Sequence, residues 1–149
     1  MSRYLLDVNV LLALVRPGHQ GYEAAHVWLD RSWRHGWATN PLTELGVLRL
    51  LTNPAVTQGV VSAATALAVV AEFTRTEGHE FWPLDREIAV CLRPISTTLR
   101  GHRQWTDAML LWQAKERGGI LVSFDAGIKA LAGRDSDRVL ILKSRSVAN

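Results

Sequence analysis

The chain has 149 residues, of which 48% are hydrophobic and 21% charged, with a formal net charge of +3. This length and balance fit one ordinary globular domain with its own core, and exclude a disordered, collagen-like or coiled-coil chain. Cys91 is the only cysteine, which excludes an intramolecular disulfide and any cysteine-based zinc site, while the mild excess of Lys and Arg permits a polyanionic partner without demonstrating one.

Residues 3–7 (RYLLD) form a short β-type run, and residues 8–15 are apolar and helix-compatible, ended by Pro17 and Gly18. Tyr22, Ala25, Trp28, Leu29 and Trp33 recur at helical spacing, which predicts an amphipathic helix over 20–35 that stops at Gly36. A strand is expected over 37–39. Asn40 as cap and Pro41 at the first helical position then open a helix that runs through Leu51 and stops before Pro54. A helix follows over 62–76, with Gly78 as its C-terminal signal, and a strand over 79–82. Leu84, Ile88 and Cys91 mark one more helix, ended before Pro94, and residues 95–103 read as loop. Trp105, Ala108, Met109 and Trp112 give another amphipathic helix, closed by Gly118 and Gly119. The continuous apolar run at 120–123 is a buried strand, 126–131 a short helix and 139–142 a last strand.

Strands alternating with helices predict an α/β domain with a mostly parallel sheet and helices on both faces. No repeat or Pro/Gly-rich linker divides the chain, so a single domain over 1–149 is expected. The apolar-leaning stretch at 60–73 is broken by Ser62, Thr65 and Glu72 and is too short to span a bilayer. Asp7 and Asn9 interrupt the first apolar run, unlike a secretory signal. A cytoplasmic protein with no membrane contact is expected. Trp28, Trp33, Trp105 and Trp112 fall at helical core spacing and are expected to pack inside, as is Cys91. His19, His26, His35, His79 and His102 lack metal-ligand spacing and read as surface or packing residues.

In parallel α/β sheets ligands bind beyond the carboxyl ends of the strands. Asp7 ends the first strand, and Asp125 directly follows the strand at 120–123. Glu44 and Asp107 lie in the first turns of helices that start at that same edge. Each acid alone is explained by helix capping or by the helix dipole. Together they would converge on one rim, where partly buried carboxylates repel each other. A hard divalent cation relieves that cost, needs only a few carboxylates, and suits phosphodiester hydrolysis.

The blocks LLDVNVLLAL, PLTELGVLRLLTNP, WTDAMLLWQA and ILVSFD resemble, in order, the signature blocks of PIN-domain ribonucleases, and most of all the VapC toxins of bacterial toxin–antitoxin modules. The resemblance implies a Rossmann-like α/β/α sandwich with a central, mostly parallel sheet. It implies a Mg²⁺- or Mn²⁺-dependent endoribonuclease that is a homodimer restrained by a small antitoxin. The family's acidic quartet falls on Asp7, Glu44, Asp107 and Asp125, with Asp7 and Asp107 as metal ligands. Glu44 and Asp125 would orient waters or hold a second ion, and Asn9 and Ser123 would support by hydrogen bonding. The surface of Tyr22, Trp28 and Trp33 is a candidate seat for an antitoxin helix.

Arg93, Arg100, His102 and Arg103 precede the Asp107 helix, and Arg100 and Arg103 are candidates for gripping RNA phosphates. Arg103 is alternatively spaced to pair with Asp107 along one helix. Competing readings are a housekeeping PIN nuclease without an antitoxin, a non-catalytic RNA-binding relative, and a phosphohydrolase of the haloacid dehalogenase type. The last needs a second Asp two residues after the nucleophile, where this chain has Asn9.

Overall fold

Five short strands build the centre of the protein: β1 (Tyr4–Leu6), β2 (Trp37–Thr39), β3 (His79–Phe81), β4 (Ile120–Ser123) and β5 (Val139–Ile141). Every pairing is parallel and the order across the sheet is β3-β2-β1-β4-β5. The expected "mostly parallel" sheet is therefore wholly parallel among the described residues. The computed structural model describes residues 3–144, so the outermost residues of the expected 1–149 domain lie outside the described residues. From β1 the chain steps one way to β2 and β3, then returns to the other side of β1 for β4 and β5. The switch point of the topology is thus the β1–β4 seam, where such sheets bind ligands.

Side-chain alternation along the strands creates two cores. Leu6, Trp37 and Val122 face α1 (Val8–Val15), α2 (Tyr22–Ser32), α3 (Pro41–Leu51) and α5 (Ala63–Phe73). Leu5, Ala38, Leu121 and Val139 face α7 (Gln104–Glu116) and α8 (Gly127–Ala132) on the opposite side. The result is a three-layer α/β/α sandwich. Leu5, Leu6 and Leu121 are fully buried, each contributing roughly 2 kcal/mol of transfer free energy. A third cluster joins Cys91 and Leu92 of α6 (Ile88–Leu92) to Ala108 and Met109 of α7. No helix among the described residues is long and apolar enough to cross a membrane.

Several local expectations are corrected. The helix expected over 62–76 ends at Phe73, where the Thr74 hydroxyl donates to the Val70 carbonyl. Gly78 instead turns the chain into β3 at φ +83°, where a Cβ would lie 2.4 Å from the Trp33 carbonyl oxygen. Asn53 caps a short helix, α4 (Pro54–Thr57), that periodicity could not reveal in four residues. Leu84 lies outside α6, whose Ile88 is exposed. A 3₁₀ turn at Arg93–Ile95 follows α6, and residues 96–103 hold no helix or strand, as expected of the loop over 95–103. The fully buried tryptophans are Trp37 and Trp82, at strand β2 and just after β3. Trp105 is 52% exposed, and Trp28, Trp33 and Trp112 are only partly covered. Trp28, Trp33 and Trp112 pack against the core as expected, and Trp105 does not, because the first turn of α7 lies beyond the neighbouring layer.

Candidate active site

Asp7 leaves β1 at the switch point and caps α1. Its Oδ1 accepts from the Val8 backbone N–H at 2.7 Å, and its Oδ2 accepts from the Ser123 hydroxyl at 2.6 Å. The β1–β4 register, Leu6 opposite Val122, sets Asp7 beside Ser123. Asp7 therefore caps α1 with one oxygen and is tied to the end of β4 by the other. Ser123 Oγ in turn accepts from the Asp125 backbone N–H at 2.9 Å and from Asn9 Nδ2 at 3.3 Å. Asn9 Oδ1 closes the network by accepting from the Phe124 N–H at 3.2 Å. Asn9 and Ser123 thus lace the start of α1 to the end of β4 around the Asp7 carboxylate.

Asp7 is only 6% exposed. Burial pushes its carboxyl above the ordinary range, the charge of Asp125 adds to that, and the bonds from Ser123 and Val8 oppose it. Asp107, in the first turn of α7, is half-buried. Burial, then the charges of Asp7 and Asp125, push its carboxyl up to about 6. Asp125 is exposed, and its Oδ1 accepts from the Gly127 N–H at 2.8 Å. Three of the four predicted acids therefore act on one another electrostatically at the β1–β4 seam.

Glu44 stands apart. Its Oε1 accepts from the Thr39 hydroxyl at 2.7 Å, and its charge acts on His79. Strand alternation turns Thr39 toward this contact. Thr39 has the parity of Trp37, which faces α1 and α3, whereas Ser123 has the parity of Leu121, which faces α7. Sequence reasoning missed both Thr39 and His79. Thr39 adjoins the Asn40 cap, a signal that was there to follow, but the His79 contact depends on the β2–β3 register.

A buried network anchors the two helices that carry Glu44 and Asp107. Asn40 Oδ1 caps α3 through the Thr43 N–H, and Asn40 Nδ2 donates to Gln113 Oε1 of α7 at 2.8 Å. Gln113 Nε2 donates onward to the Pro83 carbonyl at 3.0 Å.

The donor chemistry fits a hard divalent cation. The seam offers carboxylate oxygens whose mutual repulsion and burial a cation would relieve. Among the described residues no three His, Cys, Asp or Glu close into a ready-made cage.

Arg100, His102 and Arg103 are exposed beside the start of α7. The Arg100 N–H is tied to Gln104 Oε1 at 2.6 Å, and among the described residues no ion pair joins Arg103 to Asp107. Both guanidinium groups are left to solvent. Arg100→Ala and Arg103→Ala are each expected to weaken RNA binding and to flatten its dependence on log salt by about 0.7, the release expected for one single-strand phosphate contact. A filter-binding series across salt concentrations measures this, and an unchanged slope would return the segment to a solvated loop.

A family model described as "PIN domain" matches residues 4–134. Ribonuclease VapC39 of Mycobacterium tuberculosis is 41% identical over 124 residues, 83% of this chain and 89% of that protein. The chain belongs to the PIN-domain family, among the VapC ribonucleases. Ribonuclease VapC38 of the same organism is 40% identical over 86% of this chain and 89% of its own length. Ribonuclease VapC44, also from M. tuberculosis, is 36% identical over 87% of this chain and 91% of its own. The fold is also similar to the crystal structure of PAE2754 from Pyrobaculum aerophilum, with a TM-score of 0.58, 24% identity, and coverage of 87% of this chain and 79% of that one. The span of the family model covers the blocks on which Asp7, Glu44, Asp107 and Asp125 stand.

Proposed function

We propose that this chain is a Mg²⁺- or Mn²⁺-dependent endoribonuclease, the toxin of a toxin–antitoxin pair, acting in the cytoplasm as a homodimer. The observation that carries the reading is the mutual electrostatic action of Asp7, Asp107 and Asp125 at the switch point of the sheet, in a chain whose relatives are named ribonucleases. Asp7 and Asp107 would hold the cation. When bound, it supplies charge neutralisation at the scissile phosphate and a water of lowered pKa.

The chain's own groups do the rest. Ser123 and the Val8 N–H fix both oxygens of Asp7, so the carboxylate is oriented before substrate arrives. Asp125 and Glu44 orient water for attack on the phosphodiester. Arg100 and Arg103 hold flanking phosphates and set the RNA across the rim. The same features suit a small antitoxin. An arginine from it would pair bidentately with the carboxylates, displacing the cation. The partly covered faces of Tyr22, Trp28 and Trp33 remain its candidate seat.

The test uses the purified full chain and a mixed RNA substrate. Cleavage is expected with Mg²⁺ or Mn²⁺ and is expected to stop with EDTA. In cells, expression of the chain alone should arrest growth, and co-expression of the small protein encoded directly upstream should restore growth and co-purify. Unimpaired growth at good soluble expression would sink the toxin reading. Metal-independent cleavage that survives in Asp7→Ala would trace to a contaminant.

A further inference from the structure

His79 opens β3 opposite Trp37, and its ring lies 4.7 Å from the Trp37 ring at 59°. The ring is half-buried. Its Nε2 is 2.7 Å from Thr39 Oγ1, and Thr39 Oγ1 is 2.7 Å from Glu44 Oε1. Thr39 is fully buried, so no water competes for its hydroxyl. These contacts form a chain from the edge strand of the sheet to the first turn of α3.

Proton counting sets the direction of that chain. A hydroxyl has one proton, and an ionised carboxylate only accepts. With the Thr39 proton on the Glu44 side, the tautomer that completes the chain is the one in which His79 donates to Thr39 from Nε2–H. The reverse assignment would leave the Thr39 and Glu44 oxygens 2.7 Å apart with no proton between them. The Thr74 backbone also draws a ring N–H, so Thr39 and Thr74 compete for the one proton of a neutral imidazole, and the charges of Glu44 and Glu80 act on the ring as well. Each donor in such a chain strengthens the next bond, and a donating Nε2–H locks the rotation of the Thr39 hydroxyl.

Glu44 has three side-chain torsions and is only half-buried, so an untethered carboxylate would lose rotamer entropy in reaching any one position. We propose that His79 is a positioning residue of the nuclease site: through the Thr39 hydroxyl it holds Glu44 Oε1 and leaves Oε2 for the reaction. Among the described residues no hydrogen bond uses Oε2. The proposal rests on the reading in which Glu44 serves RNA cleavage. It assigns His79 no contact with substrate.

Two measurements test it. In steady-state RNA cleavage with Mg²⁺, His79→Leu and Thr39→Val are each expected to lower kcat by about 10–100-fold, the usual loss for a group that orients a site residue. KM should stay within about twofold, since no substrate contact is removed. His79→Gln, which sets an amide N–H near the position of Nε2, and Thr39→Ser should recover most of kcat. In a Glu44→Ala background, His79→Leu should add no further loss, because nothing remains to be positioned. The second measurement needs neither RNA nor metal. Imidazole ¹⁵N NMR of the metal-free full chain should show His79 protonated at Nε2, with that resonance shifted by Thr39→Val and by Glu44→Ala. A ring protonated at Nδ1 alone, an unaltered kcat in His79→Leu, or fully additive losses with Glu44→Ala would overturn the relay. A wild type that cleaves no RNA but shows the Nε2 response would overturn the nuclease reading and uphold the hydrogen-bond chain.

Discussion

Asp7→Asn and Asp107→Asn should each reduce RNA cleavage by at least about 100-fold while the protein stays folded, a loss of the size seen when a charge-stabilising group is removed. The amide keeps the size of the carboxylate. In Asp7→Asn one oxygen still accepts from the Val8 N–H, so the cap of α1 survives, while the bond from Ser123 is lost because the amide NH2 cannot accept it. What also disappears is the negative charge, which the reaction needs and the fold does not. Asp125→Asn should lose less, about 10-fold, because Asp125 is exposed and one of its oxygens is already committed to the Gly127 N–H. Ser123→Ala should fall between these, since it frees Asp7 Oδ2 without removing charge. Single-turnover cleavage together with a melting curve for each variant separates lost chemistry from lost fold. Retention of a tenth or more of the activity (about 10%) in Asp7→Asn would sink the assignment, because a charge at that seam is worth more than one factor of ten.

The residues at the seam were readable from sequence for a physical reason. A carboxylate between Leu6 and Val8 is anomalous beside a buried strand, and only a cap, a site or both explain it; the cap is seen, and the second oxygen is tied to Ser123 across the seam. The apolar run at 120–123 and the Asn40–Pro41 helix start were equally legible, because burial on both faces and capping chemistry are local. Register is not local. Nothing in the string of letters brings His79 to Thr39, since that contact follows from β3 pairing with β2 at Trp37. For the same reason the bond that ties Glu44 to Thr39 was out of reach. The first turn of α7 shows the limit of periodicity: the spacing of Trp105 matches Met109 and Trp112, but helical spacing does not say where the neighbouring layer ends.

The last expectation concerns stability, and its sign runs against ordinary acid denaturation. Burial and the charges of Asp7 and Asp125 raise Asp107 from 3.8 to about 6. Between those values the native state binds more protons than the unfolded chain. The unfolding free energy therefore falls as pH rises from about 4 to about 6, and that part of the stability is gone above about 6. Asp7 is shifted in the same direction by its burial and adds to the trend. Asp107→Asn cannot ionise, so in metal-free buffer at neutral pH it should be more stable than wild type. Allowing for solvent around a half-exposed carboxyl, the gain is on the order of 1 kcal/mol, or about 2–4 °C in Tm. Mg²⁺ should reverse the ranking. At about 100 times its Kd a ligand of the native state adds about 2.7 kcal/mol. Wild type should receive most of that at neutral pH and progressively less as protons compete for Asp107 below about pH 6, while Asp107→Asn should respond weakly throughout. Melting curves over pH with and without Mg²⁺ read all of this. A wild type at least as stable as Asp107→Asn without metal at neutral pH would show that the seam is not electrostatically strained. An equal Mg²⁺ shift in both proteins would place the cation elsewhere. The three aspartates make the metal-free protein weaker than it need be, and that cost is what a cation at the seam would recover.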